Sequence, residues 1–250
     1  MPKPFVYISG LMRTGTTVMQ ERLTSLPHSF IFHEPRLGEG KFEIKDRFLE
    51  GLPDIKKAMG KDKSVASFKR NALPLLYSGV EQIGVKEIHP QGWENYLEAF
   101  PDMRVVVLGR DPRDHYISIY NWIHKRGVRR KLFRMKPFNV ENVFQGMKYD
   151  FQEQRKITEA CNCIMVKYED FVSSDSELKR IKDFVESPIP TGSEYRSSFL
   201  SGYEKRSNEY QFHGGKVTTR SVGRWRTEER VKGFEEYYEK MGEYREFWGY

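Results

Sequence analysis

The segment Phe5-Val6-Tyr7-Ile8-Ser9-Gly10-Leu11-Met12-Arg13-Thr14-Gly15-Thr16-Thr17 constrains this chain more than any other. An apolar run leads into a glycine-bearing loop, and the loop leads into Val18-Met19-Gln20-Glu21-Arg22-Leu23, whose apolar residues have helical spacing. Strand, glycine loop and helix in that order aim backbone N–H groups and a helix N-terminus at a phosphate. A nucleotide triphosphatase ends such a loop in Gly-Lys-Ser/Thr, with the lysine on the outer phosphates. Here Thr16 stands where that lysine belongs, and the nearest cation is Arg13, inside the loop. The loop is therefore expected to grip a 5′-phosphate while lacking the equipment for a γ-phosphate with magnesium.

The pattern of strand followed by helix continues along the chain. Strands are predicted at 5–9, 29–33, 83–88, 105–108 and 163–166, and helices at 16–26, 93–100, 112–125, 142–160 and 178–185. The most hydrophobic run, Val105-Val106-Val107-Leu108, reads as an interior strand of a parallel sheet. Residues 38–80 are less regular and are expected to hold short helices, and the aromatic C-terminus is expected to dock as helix. The fold class that follows is α/β, a three-layer, mostly parallel β-sheet flanked by helices with a P-loop-like binding edge. With no internal repeat and no clear linker, 250 residues are expected to form one domain.

No run approaches the roughly 18 apolar residues of a membrane span. The N-terminus opens directly into the first strand, with no room for a cleaved signal peptide, so a cytoplasmic location is expected; a lumenal domain separated from its anchor has the same character. Two cysteines occur, Cys161 and Cys163, and they are expected as buried thiols in a reducing compartment. A net charge of +7 favours an anionic ligand: a nucleotide, an acidic glycan or a nucleic acid. The basic run Lys125, Arg126, Arg129, Arg130, Lys131, Arg134 and Lys136 reads either as a solvated surface or as a lip that binds an acceptor or a polyanion.

A second segment, Val105 to Asp114 followed by Ser118, places an arginine at the end of a buried strand. Asp111-Pro112 reads as the N-cap and first residue of the next helix. Ligands of open parallel sheets bind beyond the carboxyl ends of the strands, so Arg110 is expected on the same edge as the Gly10–Thr17 loop, with Ser118 facing it. A guanidinium and a hydroxyl there would make a second anion site. The alternative makes Arg110 a surface salt-bridge partner of Asp111 or Asp114.

Together these segments resemble the sulfotransferase family, whose members use 3′-phosphoadenosine 5′-phosphosulfate (PAPS). Arg13-Thr14-Gly15-Thr16-Thr17 matches the family's 5′-phosphosulfate loop; Arg110, Pro112, Arg113, Asp114 and Ser118 match its 3′-phosphate element. Tyr168-Glu169-Asp170 looks like the Tyr-Glu-Asp element, whose tyrosine lies near the adenine in some members. Ser221-Val222-Gly223-Arg224-Trp225 resembles the Gly-x-Trp loop that closes over the nucleotide, which makes Arg220 and Gly223 cofactor-binding candidates. The resemblance implies PAPS as co-substrate, no metal, sulfuryl transfer to the hydroxyl of a small-molecule or glycan acceptor, and no nucleic-acid partner.

The resemblance also implies a lysine after the middle strand, matched by Lys86 in Val85-Lys86-Glu87-Ile88-His89-Pro90. Aryl and steroid members place a catalytic histidine two residues after that lysine; here Ile88 holds the position and His89 follows. A one-residue shift in a strand turns a side chain to the other face, which counts against His89 unless the strand has already ended. Carbohydrate and tyrosylprotein members carry a glutamate after the first helix, often as Glu-Pro, and Glu34-Pro35 lies there. Glu34 is the favoured general base, with His89 the alternative; the bland reading pairs Glu34 with Arg36 or Arg13. A divergent P-loop kinase and a non-catalytic polyanion-binding module are the other readings of the whole chain.

Overall fold

In the computed structural model of this chain, residues 3–44, 49, 52–125, 140–190, 219–227, 231 and 233–250 are described. The apolar runs become five strands: β1 (Val6–Gly10), β2 (Ser29–His33), β3 (Gln82–Glu87), β4 (Arg104–Gly109) and β5 (Cys163–Lys167). They form one sheet in the order β2-β3-β1-β4-β5, and every neighbouring pair is parallel. Ile8 of β1 lies opposite Lys86 of β3 and Val106 of β4.

Side chains of a strand alternate between faces, and here both faces are covered. Val6, Ile8, Ile31, Val106, Leu108 and Val166 pack with Val18, Met19 and Leu23 of α1 (Thr16–Arg22) on one side. Tyr7, Phe32, Ile83, Val85, Val105 and Val107 pack on the other side. There they meet α5 (Trp93–Ala99) and α7 (Val140–Ala160). This is the three-layer α/β architecture expected from the sequence. Truncating a fully buried residue such as Ile8 to alanine would cost ~2–5 kcal/mol.

The chain between β2 and β3 holds α2 (Ile55–Met59), then α3 (Val65–Ser67), which runs through a π-helical turn (Phe68–Ala72) into α4 (Leu73–Tyr77). After β4, α6 (Pro112–Lys125) begins where predicted, with the Asp111 carboxylate accepting the Arg113 N–H at 2.9 Å. α1 stops at Arg22 rather than running to 26: Pro27 excludes helix beyond it, and the Ser29 hydroxyl takes the Leu23 carbonyl at 2.7 Å. β5 passes directly into α8 (Tyr168–Ser173), which the sequence pattern did not suggest, and then α9 (Asp175–Phe184), which starts three residues before the predicted Leu178. The C-terminus forms α10 (Phe234–Lys240) and α11 (Gly242–Trp248), docked on the same face as α7.

The two cysteines are free and half-buried rather than fully buried. Cys161 follows α7 and only Cys163 belongs to a strand; burial pushes the Cys161 thiol up to about 11 and the Cys163 thiol also up. Among the described residues no helix is long and apolar enough to cross a membrane. Of the basic run, all but Lys125 falls within residues 126–139, which lie outside the described residues.

Candidate active site

The loops that follow β1 and β4 meet at one rim of the sheet. Gly10 is required at the end of β1, because a Cβ there would lie 2.6 Å from both Thr14 Oγ1 and Thr16 Cγ2. Thr14 braces the turn from within: its N–H and its hydroxyl both donate to the Leu11 carbonyl, at 3.1 and 2.7 Å. Arg13 and Gly15 take left-handed backbone, with φ of 76° and 95°. Gly15 then caps α1, so the N–H groups of Thr16 and Thr17 open the helix without intrahelical acceptors.

Arg110 sits beside this loop, buried, at the end of β4. Its Nη1 donates to the Arg13 carbonyl at 3.1 Å and its Nη2 to the Ser221 carbonyl at 2.6 Å. Its guanidinium lies 4.5 Å from the centre of the Tyr168 ring. That ring covers Gly15, where a Cβ would come within 2.3 Å of it. Arg110 is therefore no surface salt-bridge partner: Asp111 pairs with Arg113 at 2.6 Å, and Asp114 is occupied elsewhere. Ser118 faces the same rim, where its hydroxyl accepts from Arg13 Nε at 3.2 Å. It is one turn further along α6 than Asp114 and so reaches the first loop.

Asp114 clasps the segment that carries Gly223. Its two carboxylate oxygens accept the Gly223 N–H at 2.6 Å and the Trp225 N–H at 3.1 Å. Burial raises the Asp114 carboxyl, with those two N–H groups and Arg110 opposing. The Tyr168 hydroxyl and Ser221 Oγ share a hydrogen bond of 2.6 Å, and the Arg113 guanidinium stacks on the Trp225 ring at 3.8 Å. Arg220 is exposed and stands outside this contact set. Thus Arg13, Thr14, Gly15, Thr16, Thr17, Arg110, Ser118, Tyr168 and Gly223 share one rim. The sequence offers Asp114 as part of a motif or as a salt-bridge partner of Arg110; its clasp joins residues more than a hundred positions apart and has no local signal.

A second cluster lies where β2 and β3 end. Lys86 is wholly buried, and its ammonium is paired with Glu34, whose side chain remains 33% exposed. Burial alone would raise the Glu34 carboxyl, but the charges of Lys86 and His33, the Lys86 hydrogen bond and His89 outweigh it and hold it below the usual carboxylate range. Desolvation lowers the Lys86 ammonium, with Glu34 opposing. The alternative pairing of Glu34 with Arg36 is not adopted: Arg36 binds Glu39 at 2.5 Å and Glu43 at 3.1 Å. β3 ends at Glu87, so the alternation that would have turned His89 away stops before it.

His89 is half-exposed, and its Nδ1–H donates to Asp150 of α7 at 2.8 Å. That bond raises the His89 imidazole, against desolvation, while burial raises Asp150. Asp150 was missed in the sequence. Its signal is position: it falls on the buried stripe of α7 with Met147, Phe151, Gln154 and Ile157, where a charge needs a reason. His33 and Glu87 were also missed. His33 Nδ1 bonds Gln20 Oε1 at 2.8 Å, and its Nε2 lies 3.6 Å from Glu34. Glu87, pushed up to about 8 by burial, accepts from the Arg36 N–H at 2.9 Å and the Tyr96 hydroxyl at 3.3 Å.

A sequence profile described as "Sulfotransferase family" matches residues 4–191. The fold is similar to that of the sulfotransferase domain from the Synechococcus PCC 7002 olefin synthase, at 16% identity and a TM-score of 0.59, over 100% of this chain and 95% of that one. It is likewise similar to the sulfotransferase domain from the curacin biosynthetic pathway, at 15% identity and a TM-score of 0.61, over 96% and 98% of the two chains. Sulfotransferase STF9 from Mycobacterium avium aligns at 15% identity and a TM-score of 0.51, over 98% of this chain and 76% of that one. No curated protein sequence matches. At these identities the structures speak for the fold, and the profile, which spans most of the chain, speaks for the lineage: this chain belongs to the sulfotransferase family.

Proposed function

We propose that this protein moves a sulfuryl group from PAPS to the hydroxyl of a small-molecule or glycan acceptor and releases 3′,5′-bisphosphoadenosine (PAP). The observation that carries this reading is the convergence of Arg13 and Arg110 on one rim, where the Arg110 guanidinium donates to the Arg13 main-chain carbonyl at 3.1 Å and the Arg13 Nε to Ser118 at 3.2 Å. Two cationic residues on one rim suit a ligand with two separated anionic ends. Arg110 Nε supplies a test of fit: it is buried with no hydrogen-bond partner among the described residues, and an anionic oxygen is the partner such a donor takes.

In this reading Arg13, the N–H groups that open α1 and the hydroxyls of Thr16 and Thr17 hold the 5′-phosphosulfate end. Arg110 and Ser118 serve the 3′-phosphate, Tyr168 the adenine side, and the Arg220–Gly223 segment closes over the nucleotide. PAPS supplies the sulfuryl group, and its in-line displacement develops charge that positioned cations stabilise. Glu34 takes the acceptor proton. Lys86 keeps Glu34 ionised and supplies positive charge at the reacting end. Residues 1–250 act as one catalytic unit, and a reducing compartment such as the cytoplasm suits the two free thiols. A cleft of about 570 Å³ opens beside the turn after Glu34, lined in part by Leu37, Gly38, Lys69, Asn95 and Ala99.

A second reading of the base is favoured by the Asp150–His89 pair, which gives an imidazole more basic than Glu34. A labelled-PAPS screen over glycans, phenols, alcohols and peptides, with mass spectrometry of the product, tests the activity. Transfer that needs ATP and magnesium instead would show a kinase, and salt-dependent heparin binding without PAP binding would show a polyanion module. Glu34→Gln is expected to cut turnover by ~10² with PAP binding intact.

A further inference from the structure

The residues given roles above end at Gly223, and the family profile ends at residue 191. The helices α10 and α11 lie beyond both, yet hydroxyls from this C-terminal segment terminate on the rim. The Tyr237 hydroxyl donates to His115 Nδ1 at 2.9 Å, and His115 Nε2–H donates onward to the Met12 carbonyl at 2.7 Å. Burial keeps His115 neutral, down at about 4, so one ring nitrogen donates while the other accepts. The Tyr244 hydroxyl accepts from the Arg110 N–H at 2.9 Å and donates to the Arg110 carbonyl at 3.3 Å. The Tyr250 hydroxyl donates to Glu169 Oε2 at 2.7 Å, and the other oxygen of Glu169 accepts the Asp111 N–H at 2.9 Å.

We infer that Tyr237, Tyr244 and Tyr250 are positioning residues that set the backbone of both phosphate-binding loops, a role that rests on the PAPS reading. The rings alone do not account for tyrosine. They pack as core aromatics, Tyr237 on Tyr116 at 4.7 Å and Tyr244 on Phe151 at 5.2 Å, and phenylalanine would fill the same space. What tyrosine adds is a polar atom that must find a partner when buried, and all three find it on a rim loop or one residue removed from it. Met12 precedes Arg13, whose left-handed φ of 76° needs outside support. Arg110 has both its main-chain groups held by one phenol, which fixes the direction in which its guanidinium leaves β4. The Trp248 ring completes the buttress: a Cβ at Gly109 would lie 2.3 Å from it, so β4 and α11 are in direct contact beneath the site.

The test uses the full chain and calorimetric titration with PAP, beside thermal unfolding. Tyr244→Phe should weaken PAP about five- to tenfold and Tyr237→Phe about fivefold, with the KM for PAPS raised and that for the acceptor unmoved. Phe100→Leu is the control: Phe100 stacks on Phe5 at 4.0 Å at the amino ends of the strands, away from the rim, and should lower Tm while leaving PAP affinity alone. If Tyr244→Phe does not fold, Tyr250→Phe, at the half-buried chain end, decides. Unchanged PAP affinity in folded tyrosine variants overturns the inference, as does an equal loss in Phe100→Leu at equal loss of Tm. If the unaltered chain fails to bind PAP, the functional reading itself falls and the inference falls with it.

Discussion

Replacing Lys86 with methionine should separate stability from activity. Lys86 is wholly buried, so its ammonium carries a desolvation cost of several kcal/mol that the pairing with Glu34 offsets. Methionine fills nearly the same volume without that cost. Glu34 is left without its partner but is a third exposed, so water can take over its solvation. The two changes nearly cancel, and urea unfolding is expected to show a shift within about 1 kcal/mol of zero, or ~2–4 °C in Tm for a chain of this size. Activity should respond differently. A lysine charge about 4 Å from a unit charge is worth ~4 kcal/mol at an effective dielectric constant of about 20. Only part of a unit charge shifts as the sulfuryl group moves, so ~2 kcal/mol reaches the barrier, or about thirtyfold in kcat. Glu34→Gln is the converse: it strands a buried ammonium and should cost ~1–3 kcal/mol, which the double variant with Lys86→Met should recover without recovering activity. The assay is kcat at saturating PAPS with an acceptor from the screen, beside urea unfolding of all three variants. A loss above 3 kcal/mol in Lys86→Met, or an unchanged kcat, would refute the reasoning.

Three further outcomes follow from the same geometry. Asp114→Asn keeps the size of the side chain but leaves one acceptor oxygen for two N–H groups, so PAP affinity should fall about tenfold by calorimetry; equal affinity would remove Asp114 from the clasp. The Asp150 bond raises His89, so if His89 is the base, activity falls as pH drops through a pKa above the ordinary histidine value, and Asp150→Asn moves that acid limb to lower pH. A Glu34 base gives the opposite result, because its depressed carboxyl stays ionised to below the usual range: a profile flat to mildly acidic pH and indifferent to Asp150→Asn excludes His89. The stability due to Glu34 is likewise present above its unfolded value and is lost only as pH falls through the lowered folded one. Gly15→Ala forces a side chain into left-handed backbone and against the Tyr168 ring, so it should lose ~1–3 kcal/mol and most PAP binding; a wild-type Kd would show the loop to be more yielding than drawn.

The amino-acid sequence by itself determined the strands, the loop after β1 and the start of α6, because these depend on neighbours a few residues apart: doubly apolar runs, a glycine that must adopt positive φ, an Asp-Pro cap. Placing Arg13 and Arg110 on one edge also followed from sequence, since parallel strands present their carboxyl ends together. Tertiary structure decided the partners. Glu34 meets Lys86 across 52 residues only because β2 and β3 are neighbours in register, and His89 meets Asp150 across 61 because α7 lies over that end of the sheet. Ser118 meets Arg13 across 105 residues, and the hydroxyl of Tyr244 reaches Arg110 from 134 residues away. Periodicity records which face of an element is buried; it carries nothing about which buried faces meet, and that is set by the packing of the whole chain.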